Sequence, residues 1–248
     1  MIGFDAATLK QLTNYVYNTT PNATVAAYGS TAGEGGLWMS GNGLCVDANT
    51  NLYFEVGNGS FNANSGGTEY GDSFVKLSTA GRLSVADFFT PFNQGTLAAN
   101  DTDLGSGGPL LLPDSVGSSA HPHLMVGCGK EGKIYLLDRD NLGHFNSVSD
   151  SQIVQEIPNA VGGTWSSSAY FNNLIFYQGT SDVLKSFKLA NGLLVTAPAS
   201  QSTTSFGFPG ATPVISANGT NNAIAWVIQS DGYPGGGRRC CTLITPTT

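Results

Sequence analysis

Positive charge is scarce in this chain: Lys and Arg number ten against 17 Asp and Glu, with three His, in 248 residues. Binding a phosphate backbone requires clustered cations, so the composition argues against nucleic acid as a partner. Cysteine is scarce too, and four are too few to staple a domain of this length. Cys45 and Cys128 each lie in an apolar, strand-like run and read as small buried hydrophobes. No apolar run is long enough to span a bilayer. The N-terminal MIGFDAATLKQL lacks the basic start, apolar middle and small-residue cleavage site of a signal peptide. Catalytic signatures are missing as well: there is no P-loop, no Gly-x-Ser-x-Gly and no supported pair of carboxylates. The glycine-rich GSTAGEGG precedes no helix, so it has no phosphate-cradling context.

What the chain does have is turn formers, Gly alone contributing 33 residues, and internal repetition. Four segments answer one another: LWMSGNGLCVDANTNLYFEVGNG from Leu37, GPLLLPDSVGSSAHPHLMVGCGKEG from Gly108, TWSSSAYFNNLIFYQGTSD from Thr164 and TPVISANGTNNAIAWVIQSDG from Thr212. Each runs from an apolar stretch through a polar turn to a second apolar stretch and a Gly-rich turn. Three are followed by a further strand, turn and strand: DSFVKLSTAGRLSVADFF, GKIYLLDRDNLGHF and VLKSFKLANGLLVT. Short Val/Ile/Tyr/Phe/Leu runs split by Gly, Asn and Asp are the pattern of antiparallel hairpins. Helix has little support, and even DAATLKQLTNYV near the start reads as strand and turn. Strands grouped by four, repeating every roughly fifty to seventy residues, predict propeller blades rather than the evenly spaced strands of a sandwich. The expected fold is therefore all-β, a partial β-propeller of about three complete and two partial four-stranded antiparallel blades.

The stretches GLWMSGNGLCVDANTNLYFEVGNGSF, GTEYGDSFVKLS, DLGSGGPLLLPD, HPHLMVGCGKEGKIYLLDRDNLGHF and SFGFPGATPVISANG resemble the PQQ-binding-like β-propeller repeat family, the quinoprotein-alcohol-dehydrogenase-like superfamily. The likeness covers nearly all of residues 1–237 and is nearest to uncharacterised bacterial members. In KIYLLDRDNLGHF it places Asp138 at the start of the turn between the two outer strands, and in MIGFDAATLK it places Asp5 there. The resemblance runs off both ends, so a fragment is expected, with Met1 as an internal start. The residues 238–248, RRCCTLITPTT included, are expected to be an unstructured tail read in a shifted frame, one in which a strand AVLHAYNA is admissible. On that reading the adjacent Cys240 and Cys241 are an artefact rather than the vicinal disulfide of some quinone-dependent dehydrogenases. A competing arrangement keeps both ends native and has residues 1–16 complete the unit beginning near Gly207, closing a four-bladed ring. The sparsely charged, Ser/Thr/Asn/Gly-rich composition is common among exported bacterial β proteins, which places the full-length parent outside the cell or in the periplasm.

The resemblance implies either of two roles. One is a non-catalytic binding or scaffold module that meets a protein or glycan through the long loops Asn58 to Asp72 and Phe92 to Gly108, with no cofactor. The other is a fragment of an alcohol- or sugar-dehydrogenase-like quinoprotein using PQQ and Ca²⁺, its enzymes having a stacking Trp and a catalytic Asp. Candidate ligands are weighed against structural roles. In NDTDLGSGG, Asn100, Asp101 and Asp103 offer oxygens to a cation, but Asp and Asn before Gly are common turn formers and the turn reading is preferred. In SSAHPHLMV, His121 and His123 are two apart and so point to one side of an extended strand, as metal ligands do, yet Pro122 marks a loop and no third ligand is evident. Trp38 and Trp165 occupy equivalent repeat positions, which favours packing between blades over a unique cofactor platform. Trp226 reads as core and His144 as a surface turn. The sequons at Asn18, Asn22 and Asn58 matter only in a glycosylating pathway.

Overall fold

The computed structural model describes residues 1–22 and 34–231, together with the backbone of 240–244. The chain divides into two compact units. Unit one holds residues 1–38, 44–105 and 142–152; unit two holds 39–43, 106–141 and 153–248. Both are built of antiparallel sheets, so the protein is all-β.

In unit one, β1 (Ile2–Phe4) and β2 (Gln11–Val16) form a hairpin. Then β3 (Cys45–Val46), β4 (Leu52–Glu55), β5 (Phe74–Ser78) and β6 (Ser84–Thr90) pair in chain order as a four-stranded meander. The loop that follows carries α1 (Gln94–Ala99), a helix that the sequence pattern did not predict. It is six residues long and buries only Leu97, too little to write a helical period into the sequence.

Unit two opens with β7 (Leu110–Leu111), β8 (Leu124–Cys128) and β9 (Ile134–Asp138). The sequence predicted that LGHF returns as the fourth strand of this sheet. Instead β10 (His144–Phe145) belongs to unit one and lies parallel on β6. Gly143 and His144 have φ of 94° and 57°, turning the chain aside, and the distant Asp87 accepts a hydrogen bond from the Leu142 N–H at 2.8 Å. His144 then stacks on Phe88 at 4.7 Å and Phe145 packs on Phe61 at 5.1 Å. The fourth place on the β9 edge is taken by β11 (Gln155–Ile157).

The next sheet is β12 (Ala169–Phe171), β13 (Leu174–Gln178), β14 (Asp182–Ala190) and β15 (Leu193–Leu194), with β16 (Ser200–Phe206) also paired to β14. Its tight turns have the side chains such turns demand: Asn172 and Asn173 at φ 47° and 63°, then Asn191 and Gly192 at 53° and 77°. Last come β17 (Val214–Asn218), β18 (Asn221–Gln229) and β19 (Cys240–Ile244). The expected unstructured tail is thus replaced over Cys240–Ile244 by a strand paired to β18; residues 238, 239 and 245–248, and the Cys240 and Cys241 side chains, lie outside the described residues. Of the two ends, β1 is paired with β2 in a two-stranded sheet and β17, β18 and β19 form a three-stranded one.

Packing in unit two explains the strand sequences. Along β13, Ile175 and Tyr177 enter a core shared with Leu124, Val126 and Ile134 of the preceding sheet. The intervening Phe176 enters a second core with Ala225 and Val227 of the following sheet. Alternate side chains of one strand therefore feed two cores, and the strand reads as a continuous apolar run rather than an alternating one. Trp226, expected in the core, points away from it and is 43% exposed, since it sits between the inward Ala225 and Val227.

Candidate functional site

Within unit one the loops 58–72 and 92–105 are held together by carboxylates. Asp103, 3% exposed, accepts a hydrogen bond from the Asn58 backbone N–H at 2.7 Å. The Asn58 side-chain amide donates to Asp101 Oδ1 at 3.2 Å. The fully buried Asp72 accepts from the Leu104 N–H at 3.1 Å, and the Gln94 amide donates to the Gly59 carbonyl at 3.2 Å. Loop backbone groups that no sheet satisfies thus find side-chain partners. Burial, reinforced by the nearby Asp103 charge, pushes the Asp72 carboxyl up to about 8 against the pull of the Leu104 N–H, so Asp72 is a neutral acid at pH 7. Asn58 is 7% exposed and committed on both its backbone and side-chain nitrogens, which closes that sequon to a glycan.

Asp101 and Asp103, weighed in the sequence as cation ligands against turn formers, each accept a hydrogen bond from Asn58 and so tie the two loops together. Sequence reasoning missed Asp72 and Asn58. A signal for Asp72 exists: Asp72 and Asp231 lie between the second and third strands of their sheets, and Asp182 opens the third strand of its own. Asp182 accepts from the Gly162 N–H at 2.8 Å and Asp231 from the Gly207 N–H at 2.6 Å, and the latter bond lowers the Asp231 pKa. Each of these three carboxylates thus accepts a backbone N–H from another loop.

In unit two, His121 and His123 each lie against a carboxylate. His121 Nδ1 lies 2.8 Å from Asp138 Oδ2, and His123 Nδ1 lies 2.7 Å from Asp140 Oδ2, two side-by-side pairs across the same turn. Arg139 binds Asp114 at 2.7 Å and the Leu124 carbonyl at 3.2 Å, adding a cation beside the two histidines. Among the described residues no three His, Cys, Asp or Glu are grouped to hold a metal ion. Asp138 also accepts from the Asp140 N–H at 2.8 Å, and Asp5 from the Thr8 N–H at 2.7 Å, so both open a turn through their own carboxylate.

Trp165 lies edge-on to Phe208 at 4.9 Å, with Lys130 Nζ 5.9 Å above its ring, between groups from the preceding and following sheets. Trp38 is half exposed. Both indoles fold over the glycine two residues earlier, Gly36 and Gly163. Cys128 is buried in the first core of unit two, whereas Cys45 is only half-buried.

The loops that lead into successive first strands also meet. Ser40, Gly108, Ser167 and Thr212, all within unit two, stand at those starts. Ser167 Oγ donates to the Ser40 carbonyl at 3.1 Å, the Ser167 N–H donates to Thr212 Oγ1 at 3.3 Å, and Gly108 bridges Ser167 in parallel. The chain matches no protein-family model and no curated protein sequence. Among the described residues no helix is long and apolar enough to cross a membrane.

Proposed function

We propose that the protein is a run of PQQ-like propeller blades serving as a non-catalytic binding or scaffold module, its ligand surface made by loops 58–72 and 92–108. The observation that carries this reading is the fastening of those loops through Asn58, Asp72, Gln94 and Asp103. Loops ordered before a partner arrives do not lose that entropy on binding. Their tips remain accessible, with Asn64, Ser65, Gly66, Phe92 and Asn100 exposed. Support for blades comes from the sheet of β12–β16, buried on both faces by its neighbours in sequence, and from the meeting of Ser40, Gly108, Ser167 and Thr212 at the inner strand starts. Sheets that cover one another in turn around a line are the arrangement by which repeats bury what each leaves open.

Two measurements test this. A glycan and protein array probed with the purified chain is expected to show binding that disappears when residues 62–68 are replaced by a short Gly-Ser turn, with the melting temperature retained. Binding that survives the replacement removes these loops from the role. Titration with PQQ and Ca²⁺ is expected to leave Trp fluorescence and melting temperature unchanged; saturable quenching with a raised melting temperature overturns the non-catalytic reading.

A further inference from the structure

Four Asn-Gly pairs occur in the sequence, at residues 42–43, 58–59, 191–192 and 218–219. An asparagine followed by glycine can close a ring on itself: the glycine backbone nitrogen attacks the side-chain amide carbon Cγ, and no Cβ on the glycine obstructs the approach. The reaction needs that nitrogen and Cγ at roughly 3–3.5 Å, so a fold that commits the backbone or the amide elsewhere prevents it.

The four pairs differ in that freedom. Asn191 and Gly192 are the central residues of the turn closed by the Ala190–Leu193 pair, at φ 53° and 77°. Asn218 belongs to a ladder, opposite Asn221, where β17 turns into β18. Asn58 is 7% exposed, its N–H bound to Asp103 and its amide nitrogen to Asp101. Asn42 is exposed and outside any strand, at the end of a turn in which its N–H donates to the Met39 carbonyl at 3.1 Å. Its side chain is already folded onto the reacting nitrogen, since the Gly43 N–H donates to Asn42 Oδ1 at 2.9 Å. Gly43 stands in open space, with nothing within 4 Å of where a Cβ would be.

We propose that Asn42 is a site of spontaneous deamidation, selected by the fold from the four Asn-Gly pairs. The Gly43 nitrogen forms a bond to Asn42 Cγ and gives up its proton. The Cγ–Nδ2 bond breaks, and ammonia leaves with that proton, so that a succinimide remains. Water then opens the ring at either carbonyl, leaving aspartate or isoaspartate, with no oxidant or cofactor consumed. The product puts a negative charge two residues from Ser40, whose carbonyl accepts from Ser167 Oγ. The modification is independent of the proposed ligand surface, whose own Asn58 is held unreactive by its partners.

The test holds the purified full chain at mildly alkaline pH and body temperature and follows the four Asn-Gly peptides by mass spectrometry after digestion, with isoaspartate counted by enzymatic methyl transfer. In the folded chain Asn42 is expected to convert several-fold faster than any other pair, and Asn58 slowest. In urea the four rates are expected to converge, because unfolding frees the turn, the ladder and the buried amide alike. Gly43→Ala, which places its Cβ in open space, is expected to slow conversion of Asn42 while leaving the melting temperature and the other three rates unchanged. A folded chain in which another pair leads, or rates that keep their order in urea, overturn the proposal.

Discussion

A carboxylate in water ionises near pH 4, but Asp72 is fully buried beside Asp103 and keeps its proton to about pH 8. The sign of the consequence follows from proton counts. Between about pH 4 and pH 8 the unfolded chain has lost this proton and the folded chain retains it, so stability falls as pH rises through that window, by at most about 1.4 kcal/mol per pH unit. Asp72→Asn keeps an oxygen for the Leu104 N–H and removes the titration. Denaturant melts should therefore find the variant more stable than the wild type at pH 8, with the gap closing toward pH 4; parallel pH profiles would contradict the assignment. A second residue-scale effect concerns Gly163. A Cβ there would stand 2.6 Å from the Lys130 carbonyl oxygen, backbone that cannot swing aside. Gly163→Ala should cost about 1–3 kcal/mol of stability, the usual penalty of overpacking, and calorimetry reads it as a lowered melting temperature.

At the scale of elements, β10 depends on its anchors more than on its two-residue ladder. Asp87 holds the Leu142 N–H and lies 3.0 Å from His144 Nε2, while Phe145 fills the space against Phe61. Asp87→Ala should release residues 142–146 to fast amide exchange while β4 and β5 stay protected, as hydrogen-exchange mass spectrometry can measure. Strand pairs and the Asn and Gly turns between them were legible in the sequence because side-chain period and turn chemistry are local. The destination of LGHF was not, since Gly143 and His144 set the direction but Phe61 and Phe88, more than fifty residues away, supply the reason to go there. In the candidate site, Asp101 and Asp103 stood out as acidic loop residues. Asp72 did not, because an Asp before a strand looks like any turn former until Leu104 arrives beside it.

For the molecule as a whole, the decisive feature is the sheet buried on both sides. Ile175 and Phe176 are neighbours in sequence, yet one serves the core with Leu124 and the other the core with Ala225. In a two-layer sandwich one of them would face water. Ile175→Ala and Phe176→Ala should each cost about 2–5 kcal/mol, the range for large-to-small changes in a core. A near-neutral result for either, measured by urea unfolding, would mean that its face is not covered in solution. By itself the amino-acid sequence determined the class of structure, the grouping of strands and most turn positions, because backbone preference and side-chain alternation act over a few residues. Only the tertiary structure decided that Trp226 looks outward, that β10 crosses to the other unit and that Asp72 keeps its proton. Each of those outcomes depends on which distant groups exclude water or offer a hydrogen bond, and sequence spacing does not encode such proximity.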